Sequence, residues 1–334
     1  MVKKKISFSE NIFKYSTIFF LVLVCLILTF ATDQFLTPSN LVNILSQCSI
    51  LAIVASGLCF IVAIGGIDLS LTFSYDLGAL VSILLMSMGL PWYVAFASGI
   101  LAGAMLGVLN GFLVTKAKIP IFIATLGTMY IGESVQKIVT QGGQPIYLPD
   151  MPEAFKFLGK GSLLVINTPD GRIDFKFAIL IAVIVAIIVH IILSKTTFGR
   201  KLFTIGAQPE AAVLCGVPTN RYIVIAFIIC GAICAFGGMV NSSMLTSYLP
   251  SSGKYYLMDA IGAVFIGCTL NKRGFANISG TMVGVMFFGI ISNGLNLLNI
   301  PFSWQSVARG LLILIILALD SYKKNVVINK KPRR

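Results

Sequence analysis

Apolar residues in this chain run together in blocks of about 20, which recur from Ile12 to Leu319 with short polar segments between them. A block of that length, wound as a helix, covers the roughly 30 Å of hydrocarbon in a bilayer. The blocks predict about ten spans. They are Ile12–Phe30, Leu41–Ile64, Leu69–Leu90, Pro91–Leu113, Pro120–Val139, Phe177–Leu193, Tyr222–Asn241, Tyr255–Leu270, Ile278–Leu298 and Ser303–Leu319. The pattern therefore predicts an all-α integral membrane protein, a single transmembrane domain over 1–334. An even number of spans puts both termini on one side. With the first span set aside, spans two to five and seven to ten form two four-helix sets that enter from opposite faces, the inverted-repeat pattern of many transporters.

Composition sharpens this. Hydrophobic residues make up 57% of the chain and charged residues only 11%, against about one quarter charged in a soluble domain, which excludes a soluble reading. The net charge of +13 raises the question of nucleic acid, but the Lys and Arg residues punctuate apolar runs instead of lining one solvated face, so none is expected as a partner. Topology accounts for them better. With the termini in the cytoplasm, the inside segments and helix edges hold Lys3, Lys4, Lys5, Lys14, Lys116, Lys118, Lys195, Arg200, Lys201, Arg221, Lys272, Arg273 and the six basic residues after Asp320, in all 18 of the 25 basic residues. The first run follows four lysines, is too long for a signal-peptide core and lacks a small-residue cleavage site before Asp33, so it reads as a retained helix. Cys25, Cys48, Cys59, Cys215, Cys230, Cys234 and Cys268 fall mostly within apolar spans without metal-ligand spacing and read as packing residues.

Two polar segments are long. The one at 142–175 is expected outside; it carries Pro145, Pro149, Pro152 and Pro169 and an apolar stretch, Leu163–Ile166, suited to a small folded lip. The other, 194–221, is expected inside. There Pro209, Glu210, Ala211, Ala212 and Gly216 describe a short helix, with proline at its first turn, an acid near its start and a closing glycine. Its small residues would admit another protein surface, although an ordinary connector fits the spacing equally well.

This loop resembles the coupling-helix motif of ABC importer permeases. GGIDLS at Gly65–Ser70, FIATLGTM at Phe122–Met129, LMDAIGAVFIG at Leu257–Gly267, SGTMVG at Ser279–Gly284 and NGLNLLNI at Asn293–Ile300 resemble the ribose-type monosaccharide permeases of the branched-chain amino acid/sugar permease superfamily, in the same order. The resemblance implies a type II-like importer permease with a second permease copy or paralogue, a cytoplasmic ABC ATPase that carries ATP and Mg, and an extracytoplasmic sugar-binding protein. This chain would bind no cofactor itself, and it would lie in a bacterial cytoplasmic (inner) membrane with both termini cytoplasmic. By position, Glu210, Ala211, Ala212 and Gly216 would transmit ATPase closure to the helices. The family's GGN is here Gly206, Ala207 and Gln208, its V-G-S is Leu71, Thr72 and Phe73, and its glycine-rich turn is Asn271, Lys272, Arg273 and Gly274, departures that fit a divergent member or one half of a heterodimer.

Polar groups at membrane depth are costly and face protein or water. Asp76, Asn110, Thr125, Asn241, Asn293 and Asn296 are pathway candidates for a sugar, which needs neutral hydrogen-bond groups and aromatic faces without tight binding. The same residue types also join helices, as Gly103, Gly107 and Gly111 at four-residue spacing would. Gly66, Asp68 and Ser70 belong to a helix entry, where Asp68 is expected to cap the third span; Asp259 begins the eighth span, as a cap or a contact for the binding protein; and Arg309 either snorkels or pairs with an acid of a neighbouring helix. Glu133 and Lys137 read as a local ion pair. His190, the sole histidine, reads as a packing or interface residue, and no metal site is expected.

No phosphate-loop pattern occurs in the sequence, so energy comes from a partner or a gradient. An ion-gradient-driven transporter of a small polar solute, with Asp76 as its buried carboxylate, is the alternative to the ATP-driven importer. A membrane enzyme would need clustered acids, bases or metal ligands, which 12 scattered acids and one histidine do not supply.

Overall fold

The computed structural model describes residues 8–168, 171–271, 274–312 and 314–315. Lys3, Lys4, Lys5, Pro169, Lys272, Arg273, the tail from Asp320 and positions 313 and 316–319 of the last predicted span lie outside the described residues.

Every predicted apolar run contains a helix. These are α1 (Phe8–Ala31), α2 (Pro38–Ala63), α3 (Leu71–Ser87), α4 (Trp92–Thr115), α5 (Ile121–Val139), α7 (Phe177–Lys195), α10 (Thr219–Leu245), α11 (Lys254–Leu270), α12 (Ile278–Leu297) and α13 (302–312). Five of them, α2, α4, α7, α10 and α12, are long and apolar enough to cross a membrane by length and composition. Local chemistry sets the ends. Pro38 starts α2 beneath an N-cap, Thr37, whose hydroxyl accepts from the Asn40 amide. The predicted third span begins at Leu69, but α3 starts only after Ser70, because the Asp68 side chain holds residues 68–70 in a turn. α10 runs further than the predicted Tyr222–Asn241, from just after Pro218 to a left-handed Thr246.

α2 is the central post, buried along nearly its whole length against α7, α10, α11 and α12. Beside it α10 and α4 form a seam without side-chain spacers. Gly103, Gly107 and Gly111 of α4 each face the α10 backbone, and Gly99 lies between α3 and the Met239 side chain of α10; a Cβ on Gly103 would lie 2.5 Å from the Gly231 carbonyl oxygen, and one on Gly111 2.9 Å from Val224 Cα. The four-residue glycine spacing thus brings two helical backbones together, as small residues do in membrane bundles.

The segment 142–175 is folded. β1 (Ile146–Tyr147) pairs antiparallel with β4 (Ser247–Tyr248), α6 (Glu153–Lys160) follows, and β2 (Ser162–Thr168) pairs with β3 (Gly171–Lys176). This lip is pinned to α10, because the Gly159 amide donates to Ser243 Oγ at 2.7 Å and no side chain separates α6 from the α10 backbone there. At the other end of the bundle, α8 (Thr197–Ala207) and α9 (Pro209–Leu214) fill the segment before α10.

Candidate functional site

A cavity of about 370 Å³ opens where α2, α10, α11, α12 and α13 meet. Ser46 and Gln47 of α2, Asn241 of α10, Asp259 of α11, Asn296 of α12 and Arg309 of α13 supply its polar lining. Tyr255 and Phe302, both exposed, meet edge-on with ring centroids 5.4 Å apart on the same cavity, and the Arg309 guanidinium lies 5.8 Å from the Phe302 ring. Asp259 and Arg309 form an ion pair at 3.5 Å (Nη1 to Oδ2). Three buried atoms of the lining, Ser46 Oγ, Asp259 Oδ1 and Arg309 Nε, have no hydrogen-bond partner among the described residues. Buried polar atoms are seldom left so. Size and lining suit a small polar solute.

Of the six pathway candidates, Asn241 and Asn296 line this cavity; Asn296 Oδ1 also accepts from Gln305 Nε2 at 2.8 Å. The other four are engaged in hydrogen bonds within the bundle. Asn293 and Asn40 exchange a reciprocal amide pair at 2.9 and 3.0 Å, joining α12 to α2. Asn110 donates to Ser70 Oγ at 2.7 Å and accepts from Thr128 at 2.9 Å, and Thr125 Oγ1 bonds the Ile121 carbonyl one turn back. Asp76 accepts from Ser252 Oγ at 2.9 Å and from the Gly253 amide at 3.0 Å, tying α3 to the entry of α11.

Asp68 is buried in the α2–α3 turn. Its Oδ1 accepts from the Ser70 amide at 2.8 Å and the Ser70 hydroxyl at 2.6 Å, and Cys230 Sγ approaches Oδ2 at 3.7 Å. The N-cap position of α3 belongs to Ser70, which makes no side-chain cap bond; the Asp68 carboxylate two residues earlier instead receives the backbone amides of Ser70 and of Leu71, the first residue of α3. Gly66 packs on Ile121 at the start of α5. Glu133 does more than the local pairing its spacing suggests: it meets Lys137 at 3.1 Å and, more closely, Lys254 of α11 at 2.7 Å. His190 borders a separate, apolar cavity between α2, α7 and α12.

The Glu210 motif forms α9, with Pro209 in its first turn and Gly216 following in a left-handed conformation (φ 75°). Ala212 is buried, whereas Glu210, Val213 and Leu214 point outward, Leu214 with 89% of its surface exposed. Gly206, near the end of α8, lies on the backbone of the α2–α3 turn; a Cβ there would come within 3.0 Å of the Gly65 nitrogen. The outward-facing helix is thus one rigid step from the turn that holds Asp68.

Ser46, Gln47, Tyr255, Phe302 and Gln136 escaped the sequence reading. Asn40, Asn43 and Gln47 recur at three- and four-residue steps, a spacing that puts them on one helix face and was available as a signal. Gln136 had no such signal, because its partners, the Tyr248 hydroxyl at 2.9 Å and the Ser251 amide at 2.8 Å, lie over a hundred residues away. Burial, reinforced by the Asp76 charge, pushes the Tyr248 hydroxyl above its usual range and keeps it a donor to Gln136.

Residues 40–317 match the family model described as branched-chain amino acid transport system / permease component. The chain is 34% identical to the ribose import permease protein RbsC of Bacillus subtilis strain 168, over 96% of this chain and 97% of that one. It is 33% identical to RbsC of Haemophilus influenzae over 90% and 91% of the two chains, and 31% identical to the galactose/methyl galactoside import permease protein MglC of the same organism over 94% and 96%. No solved structure matches it. The chain is a multi-pass membrane protein that belongs to the branched-chain amino acid transport system / permease component family.

Proposed function

We propose that this chain is the membrane-spanning permease subunit of a binding-protein-dependent ABC importer for a monosaccharide such as ribose or a related sugar. The observation that carries this reading is the cavity between α2, α10, α11, α12 and α13, with neutral hydrogen-bond groups, aromatic rings at its border and one charge-compensated ion pair. A sugar exposes hydroxyls at its edge and C–H groups on its faces, and such a lining matches both without a deep, fully enclosed pocket. Similarity to ribose and galactose import permeases supports the same substrate class.

In this reading all ten helices in the apolar runs span the bilayer as an inverted pair of four-helix sets after α1, both termini face the cytoplasm, and the lip faces outward toward a sugar-binding protein. The outward face of α9 meets a cytoplasmic ATPase that holds ATP and Mg, and a second permease copy or paralogue completes the core. ATPase closure pushes α9 and α8 against the α2–α3 turn through Gly206, and the two-state bundle shifts between inward-open and outward-open forms. Glu210, Ala211, Ala212 and Gly216 carry the push, and Gly66, Asp68 and Ser70 receive it.

The test is to tag the chain in its host, solubilise it gently and identify its companions by mass spectrometry. A stoichiometric Walker-motif ATPase is expected, and the reconstituted complex should take up sugar with ATP and without an ion gradient. Glu210→Arg should insert normally but lose ATPase association. Gradient-driven uptake by the isolated chain would replace this reading with the secondary transporter. That alternative asks Asp76 to bind and release a proton or ion, a task ill matched to a carboxylate occupied by Ser252 and Gly253.

A further inference from the structure

Among the residues lining the cavity, Asp259 and Arg309 are the charged pair, and both are mostly buried. Their separation of 3.5 Å is longer than the roughly 2.7–2.9 Å of a well-formed charge-assisted hydrogen bond. Elsewhere in the molecule such a bond does form, at 2.7 Å between Lys254 and Glu133. Among the described residues the loose pair leaves one acceptor, Asp259 Oδ1, and one donor, Arg309 Nε, without a partner, as is Ser46 Oγ of the same lining, and all three atoms are enclosed behind the cavity wall. Leaving such groups unpaired is costly, so a solute that pairs them gains more than one meeting groups already satisfied.

We propose that Asp259, Arg309 and Ser46 form a recognition station for an uncharged polyol: side-chain rotation turns the three enclosed atoms toward the cavity, where one solute hydroxyl donates to Asp259 Oδ1, a neighbouring oxygen accepts from Arg309 Nε, and Ser46 Oγ takes a further hydroxyl. This rests on the reading of the cavity as the solute path and adds a selection rule to it. Because the two charges cancel locally, the station offers no net attraction to an ion, and the carboxylate of a sugar acid would meet Asp259 without a free cation to answer it. Tyr255 and Phe302 supply the apolar edge on which the C–H face of a ring can lie. Specificity against sugar acids would then reside partly in the membrane subunit. The sign of each substitution follows. Asp259→Asn leaves Arg309 as an unopposed cation and turns the station toward carboxylates; Arg309→Gln leaves an unopposed carboxylate and turns away sugar acids while losing a donor to sugars.

The experiment is saturation-transfer NMR on the purified full-length chain in lipid nanodiscs, with D-ribose, D-galactose, D-ribonate and D-galactonate as probes. The native chain should saturate a neutral sugar and not its acid. Asp259→Asn should raise the acid-to-sugar ratio by about tenfold, the scale of one charge-assisted hydrogen bond. Arg309→Lys keeps the charge but lacks Nε; it should retain the native melting temperature and weaken the sugar signal by about tenfold with the ratio unchanged. If Asp259→Asn fails to fold, the Arg309→Lys result decides alone. A native chain that saturates neither sugar, an unchanged ratio in folded Asp259→Asn, or native sugar binding by Arg309→Lys would each overturn the station. Failure of ATP-driven uptake alongside normal saturation would strike the importer reading instead.

Discussion

Two buried aspartates sit in opposite circumstances. Asp68, in the α2–α3 turn, receives a relay in which each donor points toward it: Thr128 donates to Asn110, Asn110 to Ser70, and Ser70 to Asp68, at 2.9, 2.7 and 2.6 Å. Asp259, at the cavity, has one ionic partner at 3.5 Å and, among the described residues, an oxygen with none. Chains of this kind polarise one another and fix geometry, whereas a half-satisfied group in a low dielectric is poised for whatever can complete it. In the proposed importer the first site belongs to the frame that would carry motion from α9 and α8, and the second to the path that the frame would open. The glycine seam between α4 and α10 extends the frame, since its helices are packed backbone against backbone.

The sharpest way to break this contrast is at the seam. Gly107→Leu would drive a side chain into the Phe227–Ile228 backbone of α10, where no flexible neighbour can yield. A loss of about 3 kcal/mol or more is expected, seen as failure to recover a monodisperse protein; a Gly107→Leu chain with native melting behaviour would mean that the seam opens freely. Next in size is Asp68→Ala. It removes the acceptor of the relay and strands the Ser70 amide and hydroxyl in a buried site, at a cost of about 2 kcal/mol in thermal unfolding of the purified chain. Uptake should fall with it, because the turn on which Gly206 rests loses its fixed shape.

The frame was more legible in the sequence than the path. A bilayer admits few solutions for backbone hydrogen bonding, so long apolar runs announce helices, and Gly103, Gly107 and Gly111 announce a close contact by spacing alone. Glu210 to Gly216 likewise declares its short helix through local proline and glycine chemistry. What a polar residue inside a run does depends on distant partners. Asp76 and Asn241 look alike along the chain, yet one is tied to Ser252 and Gly253 and the other faces the cavity. The Asn40–Asn293 pair and the Gln136–Tyr248 contact are equally non-local. Arg309 was expected to snorkel or to find an acid, and its partner became nameable only once α11 and α13 were placed together.

The smallest expected effect separates the two sites most clearly. Replacing Asp259 and Arg309 together by Asn and Gln removes both charges, the first at constant shape and the second with a shorter, still polar side chain. Exchanging a buried ion pair for neutral groups is often neutral, because the desolvation cost of the charges disappears together with their attraction. At 3.5 Å, without a strong hydrogen bond to lose, the double variant should melt within about 0.5 kcal/mol of the native chain, the reverse of Asp68→Ala. A frame role for the pair predicts a stability loss that approaches that of Asp68→Ala. Unchanged melting together with lost sugar saturation would mean that the pair contributes to the solute and hardly at all to the fold, as its two unused atoms at the cavity imply.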